Sequence, residues 1–337
     1  MKPILSFLSL FYRLVSKIMR IMYEKNIKKR IFAPIPVISI GNITFGGSEK
    51  TPLSIKLIKI LLKKNRKPAL ISRGYKGKWE KFGGKVLPQN NHMPDWKKIG
   101  DEPYMMFKNI PEIGIFLGKN RISSCINAYK KGYDVAVMDD GFQYLSLKKD
   151  LEIVLHDVSK KALLRESESA LKKAHLILLK KTHLKNKKVQ FKSRLSHIPI
   201  YEYQVFSKGL VKIGDSQVIA SEKFKQNKVL AFCGIAHPHR FVKTLKEEGI
   251  RPAAFLEFPD HYEYPLSAVK KIINKHKSIN SDAIVTTEKD AVKLEKKNQL
   301  KDLPFYYLKI DLYIEPGFFE EVFSKLNSPD PFIKKRQ

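Results

Sequence analysis

The stretch VISIGNITFGGSEKTP, Val37 to Pro52, constrains this chain more than any other. Val37, Ile38 and Ile40 are a short β-branched run of the kind that makes a buried strand. It leads into a loop with Gly46, Gly47 and Ser48, followed by Lys50 and Thr51, and Pro52 falls in the first helical turn, where its missing N–H costs nothing. Strand, glycine loop, Lys-Thr and helix is the layout of a phosphate-binding loop. Glycines let backbone N–H groups turn inward around phosphate oxygens, and the helix N-terminus adds its positive end. Lys50 would then reach the β- and γ-phosphates, and the Thr51 hydroxyl would ligate Mg²⁺. The usual spacing has glycine at two positions where this chain carries Thr44 and Glu49. An ordinary strand–helix connection shares the local pattern, so the rest of the chain has to decide.

The decisive companion lies downstream. Asp134 to Gln143, DVAVMDDGFQ, is an apolar strand ending in Asp139 and Asp140. Two adjacent carboxylates repel each other at a bare strand end and are reconciled beside a cation, which is the arrangement of a Walker B strand holding Mg²⁺. Between the two motifs, Pro68–Ser72 and Ile115–Leu117 read as further short strands, with Arg73 and Arg121 just beyond their carboxyl ends, where open α/β sheets bind ligands. Asp101 opens a helix after Gly100; for an isolated Asp there, an N-cap is the default reading. Strands at 153–155 and 176–179 continue the pattern, and strand–helix alternation restarts at Val229. This alternation implies a mainly parallel sheet. The segment IPIYEYQVFSKGLVK, Ile198 to Lys212, alternates around Ser207-Lys208-Gly209 and reads as a β-hairpin linking two domains. The expected organisation is an N-terminal helix (1–30), a phosphate-loop core (31–197), a hairpin hinge (198–215) and a smaller C-terminal α/β domain (216–337).

The formal net charge of +31 favours an anionic partner. No zinc-finger or RNA-binding signature directs that charge to nucleic acid. Cys125 and Cys233 lack the spacing of a metal or redox site and read as buried thiols in a reducing compartment. Ile4 to Tyr23 is mostly apolar but carries Arg13, Lys17 and Arg20 at helical spacing, which fits an amphipathic helix in a membrane interface better than a span. In that reading the basic stripe faces anionic headgroups. A helix packed on the protein's own core is the competing reading.

Taken in order, these motifs resemble one family, the tetraacyldisaccharide 4'-kinases. The resemblance rests on VISIGNITFGGSEKTP (37–52), ISRGY (71–75), GDEP (100–103), GKNR (118–121) and MDDGFQY (138–144), then LLRE (163–166), FCGIAHPHRF (232–241), FPDHY (258–262) and TTEKDAVKL (286–294). It covers nearly the whole chain. It implies a P-loop-containing α/β/α sandwich with a smaller second α/β domain, joined by a β-hairpin hinge, and an N-terminal amphipathic membrane helix. The implied activity transfers the ATP γ-phosphate, with Mg²⁺, to the 4'-hydroxyl of tetraacyldisaccharide 1-phosphate, giving lipid IVA in lipid A biosynthesis. The implied location is the cytoplasmic face of the bacterial inner membrane, with no nucleic acid and no obligate protein partner. Mapped by motif, Thr44, Gly46, Gly47, Ser48, Glu49, Lys50 and Thr51 form the ATP loop, and Thr51, Asp139 and Asp140 hold the metal. Asp101 resembles the family's catalytic carboxylate, with His261 of FPDHY as its partner and Lys50 as the phosphate cation; Arg73, Arg121 and Gln143 face substrate or phosphate. Two departures stand out. Glu49 replaces a glycine just before Lys50, which strains the loop if φ is positive there. Either its side chain points to solvent and pairs with a lysine, or ATP binding suffers; the alternative reading is a disabled homologue that binds anionic glycolipid without turnover. Tyr144 stands where the family usually has His, and can hydrogen-bond or stack in its place.

Overall fold

The computed structural model describes residues 2–46, 49–88, 94–159, 163–300 and 302–327, and in the first helix the side chains from residue 10 onward, residue 11 excepted. A long helix α1 (Lys2–Glu24) precedes a parallel βα succession: β1 (Val37–Asn42), α2 (Lys50–Lys63) and β2 (Pro68–Ser72). The stretch read as an exposed loop or hairpin contains α3 (Trp79–Phe82), β3 (Gly84–Val86) and α4 (Trp96–Ile99). Then come α5 (Asp101–Asn109), β4 (Gly114–Leu117), α6 (Arg121–Lys130), β5 (Val135–Asp139), β6 (Leu151–His156), β7 (Leu176–Lys180) and α7 (Lys185–Arg194). The second half runs β8 (Ile200–Lys212), β9 (Val218–Ile219), β10 (Val229–Cys233), α8 (Pro238–Glu247), β11 (Pro252–Glu257), α9 (Leu266–Ser278), β12 (Ala283–Thr287), α10 (Glu288–Leu294), β13 (Phe305–Ile314) and α11 (Phe318–Asn327).

All strands join one sheet in the order β11-β10-β12-β13-β8-β7-β6-β1-β5-β2-β4-β3, with β9 on the side of β8. The inner strands β1, β2 and β5 are buried at every position. Strands covered on both faces read as continuous apolar runs, as these do in the sequence. The two parallel stretches are joined at β8, which runs parallel to β7 through Ile200–Tyr203 and antiparallel to β13 from Tyr203 to Lys212.

Here the local reading needs correction. Ile198–Lys212 does not turn at Ser207-Lys208-Gly209; it is one strand with a register shift opposite Lys309/Ile310, and Gly209 takes φ +119° there. The turn comes later, between Lys212 and Val218, where β9 folds back on β8. A β-bulge gives the same local interruption of alternation as a turn, so period alone does not separate them.

Helix α1 also differs from expectation in which face points inward. Arg20 is buried and binds Glu166 through two guanidinium nitrogens, with Nη2 donating to Glu166 Oε1 at 2.8 Å and to the Phe142 carbonyl at 3.2 Å. Its guanidinium also lies 4.2 Å from the centre of the Phe142 ring. Leu10, Leu14, Ile18 and Ile21, at helical spacing, are instead exposed. Part of the basic stripe therefore faces the protein, and the apolar stripe faces outward. Among the described residues no helix is long and apolar enough to cross a membrane. Cys125 and Cys233 are both buried free thiols, as expected, and burial pushes each up to about 12.

Candidate active site

The carboxyl ends of β1, β2, β5, β6, β7, β10 and β12 open onto one cavity of about 1980 Å³. Strand ends on both halves of the sheet contribute to its wall, which is where an open α/β sheet places ligands. One end of the cavity is built for anions and a cation, the other around an Asp–His pair.

At the first end, β1 delivers the loop and α2 begins at Lys50. The Lys50 ammonium lies 3.2 Å from Asp140 Oδ1 and 3.4 Å from Asn42 Oδ1. Asp140 also receives Arg165 Nη1 on both oxygens, at 3.2 and 3.0 Å. Burial works against its charge, but Lys50 and Arg165 outweigh that and hold its carboxyl well below the usual range. Asp139 is the opposite case. It is buried with the Ser54 hydroxyl 3.2 Å from its Oδ1, and burial, Glu102 and Asp140 push it up to about 7 against the pull of Lys50. A buried carboxylate facing a second one, with the Thr51 hydroxyl at the start of α2, is short of positive charge and suits a cation. Among the described residues no group of three or more His, Cys, Asp or Glu side chains converges into a metal cage. A two-carboxylate-plus-hydroxyl set fits Mg²⁺, which keeps waters and shares phosphate oxygens, better than Zn²⁺ or Ca²⁺.

The side chain of Glu49 has a definite place in the site. The residue takes φ +58°, the left-handed conformation that a glycine would adopt freely. Its side chain does not point to solvent: it is 12 % exposed, and its carboxylate accepts from Lys180 Nζ at 3.0 Å, Arg240 Nη1 at 2.9 Å and Tyr203 Oη at 3.2 Å. The pairing with a lysine is present, joined by an arginine from α8. Gly46, at φ +90°, packs so closely under this helix that a Cβ on it would stand 2.6 Å from His237 Nε2. Thr44 accepts from Asn42 Nδ2 at 3.0 Å and bridges to Leu164, a role in the loop's framework. Gly47 and Ser48 lie outside the described residues.

At the other end, α5 starts at Asp101, but Asp101 is not the N-cap; Gly100 is, with φ +94° and no side-chain cap. Asp101 Oδ1 accepts its neighbour's N–H from Glu102 at 2.9 Å, and Oδ2 lies 2.9 Å from His261 Nδ1. His261 sits at φ +59°, another left-handed non-glycine position, as is Asp140 at φ +51°. Strained residues gather at functional sites because only a rigid surround can hold them. Asp101 is 5 % exposed, and the cavity wall in front of it is formed by Glu102, His261 and Lys289. Burial opposes its charge, yet the His261 hydrogen bond with Lys289 and Lys293 outweighs burial and holds the carboxyl below the usual range.

The remaining expected residues divide. Arg121 is buried, lines the cavity and has its guanidinium 5.1 Å from the centre of the Tyr144 ring, while its backbone N–H donates to Tyr144 Oη at 3.2 Å, so Tyr144 both stacks and hydrogen-bonds. Burial lowers the Arg121 pKa from its ordinary value. Arg73 lines the cavity and pairs with Glu80 at 2.7 Å. Gln143 is engaged within the framework, its Nε2 donating to the Asn42 carbonyl at 2.8 Å and to Glu166 Oε1 at 2.9 Å. Sequence reasoning gave no role to Arg165, Glu166, Lys180, Arg240, Lys289 or Lys293. The motifs LLRE, HPHRF and TTEKDAVKL contain five of these six, so the signal was present without a geometry to interpret it.

A family model described as tetraacyldisaccharide-1-P 4'-kinase matches residues 1–327. The chain belongs to the tetraacyldisaccharide 4'-kinase family. A relative of that name from Desulfotalea psychrophila is 32 % identical, with 93 % of each chain covered. One from Aquifex aeolicus is 30 % identical over 85 % of this chain and 88 % of its own. A crystal structure of the Aquifex aeolicus kinase, LpxK, in complex with ATP superposes with a TM-score of 0.73 at 28 % identity, covering 95 % of this chain and 96 % of that one. The chain is thus a kinase acting on a lipid A precursor, with the mixed α/β fold of that family; the disabled-homologue alternative is not supported.

Proposed function

We propose that this kinase transfers the γ-phosphate of ATP to the 4'-hydroxyl of tetraacyldisaccharide 1-phosphate, with the phosphate end and the Asp–His end of the one cavity holding donor and acceptor. The observation that carries this is the convergence of Lys50, Thr51, Asp139 and Asp140 with His261, backed by Asp101, on a single wall-to-wall space. Lys50 contacts the transferring phosphate, and Arg165 holds Asp140 in place beside it. Thr51, Asp139 and Asp140 would hold Mg²⁺, which when bound would offset charge on the phosphate oxygens. Arg121 adds positive charge from the cavity wall. Asp101 orients the acceptor hydroxyl and takes its proton as the oxygen–phosphorus bond forms and the bond to the β-phosphate oxygen breaks. Phosphoryl transfer depends mainly on such positioning, so a carboxylate held well below neutral pH serves as the base.

The outward apolar face of α1, with Leu10, Leu14, Ile18 and Ile21, supports a place on the membrane surface that carries the acylated acceptor. We assign that surface to the cytoplasmic side of the inner membrane, where ATP is available, and invoke no obligate protein partner. The same geometry supports the division into an N-terminal helix, a phosphate-loop half and a C-terminal half meeting at β8 and β13. The test is ³²P transfer from Mg²⁺-ATP to tetraacyldisaccharide 1-phosphate in mixed micelles. Labelled product bearing phosphate at the 4' position is expected; ATP binding without product would return the disabled-homologue reading.

A further inference from the structure

Helix α10, from the motif TTEKDAVKL, points two lysines one helical turn apart at the Asp101–His261 pair. Lys293 is completely buried, 2.9 Å from Asp290 Oδ1 and 3.7 Å from Asp101 Oδ2. Asp290 is in turn fixed by the Gly234 N–H at 2.9 Å and the Thr287 hydroxyl at 2.7 Å. Lys289 stands on the cavity side. Its Nζ lies 3.0 Å from His261 Nε2, 3.1 Å from Glu102 Oε1 and 3.7 Å from Asp260 Oδ1.

An ammonium has three donors and no acceptor. The imidazole nitrogen facing Lys289 can therefore only accept, unless the lysine is neutral. Burial disfavours the Lys289 charge, but Glu102, Asp101 and Asp260 outweigh it and hold the amine protonated. The ring's one remaining proton then belongs on Nδ1, where it meets Asp101 Oδ2 at 2.9 Å. The groups around the ring set Lys289 at 3.0 Å from Nε2 against Asp260 Oδ1 at 4.0 Å, so the lysine is the nearer partner of that nitrogen. Those groups are Asp101 and Glu102 on α5, Asp260 on the ring's own loop, Lys289 and Lys293 on α10, and the Tyr75 ring edge-on at 5.1 Å after β2.

We propose that Lys289 is a positioning residue that fixes His261 as the neutral Nδ1–H tautomer, so that the acceptor hydroxyl's proton passes to Asp101 and not to the imidazole. With Nε2 occupied by a lysine N–H and Nδ1 by its own proton, the ring has no free lone pair. The hydroxyl O–H bond breaks, its oxygen bonds to phosphorus, and the proton goes to a carboxylate oxygen of Asp101. This rests on the dyad reading given above, and it accounts for Lys289, which the phosphate chemistry leaves without a task.

Two-bond ¹H–¹⁵N correlation spectra of the full chain labelled with ¹⁵N-histidine read the tautomer directly, with His261→Asn assigning the signal. The native ring is expected to show a protonated Nδ1 and a bare Nε2. In Lys289→Met, Nε2 loses the donor that fills its lone pair while Asp101 still holds the Nδ1 proton, so the ring should become doubly protonated, and kcat should fall by about 10²-fold with the KM for ATP unchanged. Lys289→Arg, which also only donates, should recover most of that loss. A native Nε2–H pattern, or a Lys289→Met spectrum identical to native, would overturn the proposal. The spectra need no turnover, so they decide the tautomer independently; full activity in Asp101→Asn would instead overturn the base reading alone.

Discussion

Glu49, on the wall of the cavity, and Asp101, buried behind that wall, are both carboxylates held by cations, yet their surroundings give them opposite work. At the phosphate end, Glu49 engages Lys180 and Arg240, two cations that a nucleotide's phosphates could otherwise recruit. At the dyad end, Lys289 and Lys293 flank Asp101 and keep it charged for a reacting hydroxyl. One carboxylate organises positive charge; the other is organised by it. The difference teaches where a carboxylate can sit in a phosphate loop without facing the loop's lysine. Glu49 is neither loose in solvent nor set against Lys50, whose own carboxylate partner is Asp140.

The sharpest way to break this contrast is to remove the cation that faces phosphate. Lys50→Met should lower kcat by about 10²–10³-fold, the scale for deleting one preorganised charge-stabilising donor. Single-turnover assays should show the loss in the chemical step; near-native turnover would mean that Lys50 serves only Asp140. The framework beneath the phosphate end comes next. Arg20→Ala leaves the buried Glu166 carboxylate with the neutral Gln143 amide in place of a cation and should cost about 3–5 kcal/mol of stability, read by denaturant unfolding. A loss under about 1 kcal/mol would make that ion pair a surface contact in effect. Asp139 gives a pH handle on the same end. Its carboxyl, pushed up to about 7 by burial and by Glu102 and Asp140, keeps a proton below that pH. Bound Mg²⁺ must displace this proton, so affinity should rise from about pH 6 to pH 8 and flatten above, with proton release in calorimetry. A pH-independent affinity would remove Asp139 from the metal set. The smallest effect belongs to Glu49→Gln, which removes the negative charge beside Lys180 and Arg240, leaves Arg240 with Asp157 at 3.7 Å, and should lower the KM for ATP by about fivefold, near the roughly 1 kcal/mol of a partly exposed ion pair.

Much of this was legible in sequence because it is local. The apolar runs at Val37, Val135 and Val229 became β1, β5 and β10, and EKTP and MDDGF fall beyond β1 and at the end of β5, as their order implied. What stayed hidden was set by distance along the chain. Glu49 meets Lys180 and Arg240 across separations of 131 and 191 residues, and His261 meets Asp101 across 160. Only the family motif could pair the latter two, and no motif paired the former. In sequence β8 reads as a hairpin because its antiparallel partner β13 begins nearly a hundred residues later. Helix α1 shows a different limit. Periodicity separates a polar face from an apolar one, but which of them turns inward was decided by Glu166 waiting beneath Arg20.

Assaying Asp101→Asn and Glu49→Gln side by side for ³²P transfer and for ATP binding tests most directly whether the two carboxylates do different work. Asp101→Asn should bind ATP as the native chain does and lose turnover by about 10²–10⁴-fold, while Glu49→Gln should keep turnover and bind ATP more tightly. Native turnover in Asp101→Asn, or weakened ATP binding in Glu49→Gln, would contradict that division of work.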